Sequence, residues 1–216
     1  MSLTFYFAPM STASITEAVL AELGIPFDLV KLNISVGETK KPEFLKINPN
    51  GRVPVIVHEG VAIWESSAIT MYLGEVFGVD KKLYPAPGPK RGEAMKWIAW
   101  SNVTLAEPAS RLFASLPLEE QGDAETNSQE ALAPEMKSSV IMEKAKADLV
   151  DYLRILNEGL EGRSFLIGEY SLADTHLQGI VGWIGSLGID LKSFPNVTEW
   201  LKHCYERPAI AKLMEG

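Results

Sequence analysis

Cysteine is almost missing from this 216-residue chain, with Cys204 the only one. An intrachain disulfide is therefore impossible, as is a metal site built from several cysteines. Histidine is scarce too. His58, His176 and His203 show no ligand spacing such as H-E-x-x-H, so no resident metal is expected. There is no basic surplus: 20 Lys and Arg stand against 28 Asp and Glu, a net charge of -8. The imbalance is shared, with 5 bases and 9 acids in residues 1–80 and 15 and 19 beyond. Neither part carries the positive footprint that a nucleic-acid backbone requires. No apolar run approaches the roughly 20 residues of a membrane span. Met1-Ser2-Leu3-Thr4 opens without the basic region and apolar stretch of a secretory signal. A reducing, cytoplasmic location is the expectation. What is present, 46% apolar and 22% charged residues, is the composition of a globular protein with enough chain for one large domain or two smaller ones.

The pattern along the chain changes once. Residues 3–8, aromatic and β-favouring, read as a strand ended by Pro9. After the turn Met10-Ser11-Thr12-Ala13, Ser14 and Glu17 have the spacing of a capping box. Ile15, Val19, Leu20 and Leu23 then share a helical face, and Gly24 stands where a C-terminal cap belongs. Phe27 to Asn33 reads as a second strand. Asn48-Pro49-Asn50-Gly51 is a strong turn signal, and Val53-Pro54-Val55-Ile56-Val57 a buried strand. Glu59-Gly60 turns it into Val61 to Trp64 as a hairpin. Ser66 or Ser67 caps a helix with Ile69, Tyr72, Leu73, Val76 and Phe77 on its apolar face. Leu83 to Pro89 is proline-rich and reads as a linker. Beyond it the pattern is helical: residues 91–116, in which Pro108 predicts a kink or split; residues 138–160, through Ala145, Leu149, Leu153, Leu156 and Leu160; a helix opened by the box Ser171-Leu172-Ala173-Asp174; and a last helix from Val197 to Tyr205, punctuated by Arg207-Pro208. Residues 118–136 carry six acids and no base and read as a solvated, mobile insertion or a short helix.

Three features of the first part belong together. They are the hydroxyls Ser11 and Thr12 between a strand and a helix, Pro54 at the start of the third strand, and Glu65-Ser66 at the mouth of the next helix. The β-α-β, β-β-α order with that proline resembles the thioredoxin fold. Asn48-Pro49-Asn50-Gly51-Arg52-Val53-Pro54 resembles the N-P-x-G-x-V-P stretch of cytosolic glutathione transferases, and Glu65-Ser66-Ser67-Ala68-Ile69 their E-S-x-A-I. Leu83-Tyr84-Pro85, Leu172-Ala173-Asp174 and Arg207-Pro208-Ala209 fit the same pattern, so the resemblance spans nearly the whole chain. It implies a thioredoxin-like domain over 1–80, a linker over 81–89 and an all-helical domain over 90–216. It implies glutathione as co-substrate, a homodimer, and attack of the glutathione thiolate on a small apolar electrophile, as in detoxification. It also implies that Val53–Pro54 is cis, leaving Val53 to pair with the tripeptide backbone. Glu65 would receive the γ-glutamyl ammonium, Ser66 its carboxylate and Arg52 the glycyl carboxylate.

The thiolate position is where the chain departs from the cysteine-type bacterial members of the family it resembles. The serine-type pattern points to Ser11 and the cysteine-type position to Thr12; with no cysteine there, mixed-disulfide chemistry is excluded. If Ser14 serves the capping box, Ser11 is free for other work. Met10, Asn102 and Leu105 are candidates for the electrophile pocket. Asp174 reads as a folding residue without chemistry, Cys204 as a buried structural thiol, and His176 and His203 as makers of surface or capping hydrogen bonds. A noncatalytic glutathione-binding protein and a glutathione-dependent isomerase or lyase are the alternatives.

Overall fold

The computed structural model describes residues 2–116 and 139–215. The acidic segment 118–136 lies outside the described residues. Four strands make one mixed sheet: β1 (Leu3–Phe7), β2 (Asp28–Lys31), β3 (Val55–His58) and β4 (Val61–Trp64), in the order β2-β1-β3-β4. β1 runs parallel to β2 and antiparallel to β3, with Tyr6 opposite both Val30 and Val55. Glu59 (φ 51°) and Gly60 (φ 82°) form the hairpin turn, whose left-handed backbone matches the twist of the strands it joins.

Helix α1 (Ala13–Leu23) buries Ile15, Val19, Leu20 and Leu23, the residues its periodicity singled out. Gly24, at φ 57°, ends it by donating its amide to Leu20 O at 2.9 Å. The one-turn helix α2 (Pro42–Leu45) precedes β3, and α3 (Ser66–Leu73) follows β4. The second half is helical: α4 (Pro89–Trp100), α5 (Ala106–Ser115), α6 (Ser139–Gly159), α7 (Leu172–Ser186), α8 (Pro195–Tyr205) and α9 (Pro208–Met214). Thus Val197–Tyr205 is not the last helix. Pro208 begins α9, because the missing N–H and fixed φ of proline suit a first helical position. The helix α7 packs on α1, α3 and α4, so the two halves share one continuous core. Ser171 caps α7 through a complete capping box with Asp174. Asp174 is fully buried and also accepts from Leu166 N and Trp200 Nε1, each at 2.9 Å. No helix among the described residues is long and apolar enough to cross a membrane.

Candidate functional site

The first wall of the site is a turn built by Asn48. Its buried side chain donates from Nδ2 to Arg52 O at 2.7 Å and accepts at Oδ1 from Asn50 N at 3.0 Å. Gly51 sits at φ 60°, and a Cβ there would stand 2.8 Å from Thr39 O and from Lys40 Nζ. Lys40 reinforces the turn by donating to Gly51 O at 2.9 Å. The turn leads directly into Val53–Pro54, whose peptide bond is cis. Val53 and Pro54 are buried, while Arg52 is exposed.

The second wall is the mouth of α1. The helix starts at Ala13, so Ser14 lies inside it and donates its hydroxyl back to Ser11 O at 3.0 Å. The expected Ser14–Glu17 capping box is therefore not formed. Thr12 holds the cap position without a side-chain hydrogen bond to the helix; Ser11, one residue before it, accepts at Oγ from Ala13 N at 3.2 Å and donates to Ala8 O at 2.7 Å. Thr12 is exposed, and its Oγ1 lies 3.5 Å from Val53 O, which brings the helix mouth against the cis turn. The first turn of α1 holds no acidic residue. Nothing there opposes the positive end of the helix dipole. Met10, 76% exposed and with φ 53°, projects beside this mouth.

The third wall is the mouth of α3. Glu65 precedes it at φ 72°, ψ 117°, a conformation that costs a non-glycine residue on the order of 1–3 kcal/mol and concentrates at functional sites. Its side chain is exposed. Ser66 begins the helix and is 4% exposed. It does not stand alone. Asn102, on a widened turn over Ser101–Leu105, donates from Nδ2 to Ser66 Oγ at 2.9 Å. Asn102 Oδ1 lies 2.7 Å from His176 Nε2, and His176 Nδ1 lies 2.8 Å from Thr70 Oγ1. His176 is fully buried, so its expected surface or capping role is overturned. Burial pushes its ring down to about 3, and it stays neutral. Leu105, one turn from Asn102, is fully buried in the helical core. Cys204 is buried as expected, and burial pushes its thiol up, away from reactivity.

A four-stranded thioredoxin-like domain, with a cis-proline turn facing two helix mouths and a helical domain docked on α1 and α3, defines the class. The family follows from comparison with known proteins. Residues 1–75 match the model of the glutathione S-transferase N-terminal domain, and residues 128–208 that of its C-terminal domain. Glutathione S-transferase D6 of Drosophila melanogaster is 31% identical over 198 residues, covering 90% of this chain and 84% of that protein. Glutathione S-transferase D7 of the same organism is 31% identical over 206 residues, covering 94% and 84%. The chain belongs to the glutathione S-transferase family. Among solved structures, the glutathione transferase URE2P6 from Phanerochaete chrysosporium, in complex with oxidized glutathione, superposes with a TM-score of 0.82 at 26% identity, covering 99% of this chain and 95% of that one. Ure2p in complex with glutathione shares the fold at a TM-score of 0.82 and 22% identity, covering 98% and 97%.

Proposed function

We propose that this corner binds glutathione and presents its thiolate to a small apolar electrophile, as a cytoplasmic, homodimeric transferase. The carrying observation is the approach of the α1 mouth to the cis turn, with Thr12 Oγ1 3.5 Å from Val53 O. A tripeptide paired along Val53 has its sulfur delivered to that mouth. The bound glutathione species in the structural neighbours support the same ligand. In this reading Glu65 meets the γ-glutamyl ammonium, Ser66 and the first amides of α3 its carboxylate, and Arg52 the glycyl carboxylate. The thiol proton leaves to solvent, the thiolate forms a carbon–sulfur bond, and the electrophile's leaving group departs with its electron pair. Met10, exposed beside the α1 mouth, borders the electrophile.

A free thiol has a pKa of about 8.5, and lowering it by two units needs roughly 2.7 kcal/mol. One hydrogen bond to a charged acceptor supplies about 1.5–3 kcal/mol. We assign that bond to Ser11, whose proton must leave Ala8 O to make it. Thr12 is the second reading, favoured by its long, weak bond to Val53 O. Ultraviolet thiolate absorbance of bound glutathione against pH decides. Ser11→Ala is expected to raise the thiol pKa by about one to two units and Thr12→Val by less. The reverse ranking moves the role to Thr12. A bound thiol that titrates at its free value in the unmodified protein leaves only a binding protein, and no binding at millimolar glutathione removes the proposal.

A further inference from the structure

The buried chain Thr70–His176–Asn102–Ser66 has a direction, and the direction decides what Ser66 can do. Every link is within hydrogen-bond range: 2.8 Å from Thr70 Oγ1 to His176 Nδ1, 2.7 Å from Nε2 to Asn102 Oδ1, and 2.9 Å from Asn102 Nδ2 to Ser66 Oγ. A second, longer approach from Ser101 Oγ, at 3.4 Å, reaches the same Asn102 oxygen. A neutral imidazole donates from one nitrogen and accepts at the other. With the proton on Nε2, Thr70 donates to Nδ1, Nε2–H donates to Asn102 Oδ1, and the Asn102 amide donates to Ser66 Oγ. The Ser66 hydroxyl proton is then unused within the chain and free to point at a ligand. With the proton on Nδ1 every bond reverses. The Asn102 amide turns over, its oxygen accepts from Ser66, and Ser66 faces the ligand with lone pairs only. An anionic ligand group needs the first state, and the amide orientation in the structure belongs to that state.

We propose that His176 is a positioning residue which, through Asn102, holds Ser66 as a hydrogen-bond donor toward the carboxylate of the bound tripeptide. This rests on the reading that Ser66 meets that carboxylate. The relay also crosses the molecule: Thr70 and Ser66 lie on α3, whereas Asn102 and His176 belong to the helical half. The donor polarity of the glutathione site is thus set from the other half of the chain. The ring adds no charge, so its effect passes through hydrogen bonds alone.

Calorimetric titration with reduced glutathione tests this on four proteins beside the wild type: Ser66→Ala, His176→Met, the double variant and His176→Gln. Methionine fills the space without a donor or acceptor. Glutamine can donate to Asn102 and accept from Thr70. Losing one hydrogen bond's orientation predicts about a five- to tenfold rise in Kd for His176→Met. The double variant should bind like Ser66→Ala alone, and His176→Gln should stay within about twofold of wild type. An equal loss from His176→Met in both backgrounds, or a loss in His176→Gln as large as in His176→Met, makes His176 merely structural and overturns the relay. Undiminished binding by Ser66→Ala overturns the site reading itself and the relay with it. Circular dichroism reports whether His176→Met folds. If it does not, Thr70→Val interrogates the other end, with about a two- to threefold weakening expected in wild type and none in Ser66→Ala. Equal weakening in both, or none in wild type, rejects the proposal.

Discussion

His176 carries a stability consequence that is separate from ligand binding. Burial holds its ring near 3, while an unfolded histidine takes its proton near 6.5. Below that pH the unfolded chain binds a proton that the folded protein refuses, so stability falls as pH falls, until about pH 3. The slope is about 1.4 kcal/mol per pH unit, or about 2 kcal/mol between pH 6.5 and 5. Asp174 acts in the opposite sense: burial raises its carboxyl, and the folded state then takes a proton first and gains stability on acidification. A comparison of wild type with His176→Gln cancels that contribution. Urea unfolding at pH 7 and pH 5 should show wild type losing about 2 kcal/mol more than the variant; parallel losses would mean that the ring protonates inside the fold. This residue also marks a limit of sequence reading. Val53-Pro54 and Glu65-Ser66 are legible because consecutive residues in a specific spacing carry each of them. The partners of His176 lie 74 and 106 residues away, and its own helix displays only an apolar periodicity. A side chain whose meaning comes from another part of the fold leaves no local signal.

Elements were more readable than residues, and the exceptions have local causes. The strands, the hairpin turn and the apolar faces of α1, α6 and α7 follow alternation, turn residues and helical spacing. The Ser14–Glu17 box failed because helix α1 starts at Ala13, which puts Ser14 past the cap position, a position that Thr12 holds without a side-chain cap bond. Pro108 predicted a break, and the break appears one turn earlier, over Ser101–Leu105. A proline cannot donate to the carbonyl four residues before it, and its ring crowds that group, here Thr104. The widened turn that relieves this carries Asn102 to Ser66. The turn before Pro54 supports a prediction of its own. Gly51→Ala places a Cβ 2.8 Å from the Thr39 carbonyl on a left-handed backbone, so we expect a loss of about 1–3 kcal/mol in urea unfolding. Glutathione affinity should drop with it, because the same turn sets Val53. Gly60→Ala is the control: φ is 82° and nothing stands within 4 Å, so it carries the left-handed strain without the contact, and a smaller loss is expected. A comparable loss in both variants would show that backbone strain alone, and not the packing against Thr39 and Lys40, sets the cost.

At the scale of the whole molecule, an ion pair on the far side of α1 ties the chain's end to its beginning. Arg207, between α8 and α9, donates from Nε to Glu22 Oε1 at 3.0 Å and from an Nη to Oε2 at 2.7 Å. Its guanidinium lies 4.1 Å from the centre of the Tyr170 ring, and Tyr170 donates its hydroxyl to Glu22 at 3.2 Å. The Glu22 side chain is only 2% exposed, whereas that of Arg207 is 35% exposed. Such asymmetry makes the two halves of the pair unequal. Removing the arginine strands a buried carboxylate with one hydroxyl for company, a loss that reaches about 3–5 kcal/mol in fully buried pairs. The partial exposure of Arg207 places the expected cost of Arg207→Met at the low end, about 3 kcal/mol, read as a lower urea midpoint with unchanged slope. Adding Glu22→Gln removes the stranded charge, so the double variant should recover more than half of that loss. If the double variant is as unstable as Arg207→Met, the arginine acts by packing on Tyr170 and not by neutralising Glu22. The distinction bears on the proposed site, because α1 carries Glu22 at its far end and has Ser11 and Thr12 at its mouth, and a helix loosened at one end no longer holds the other against Val53.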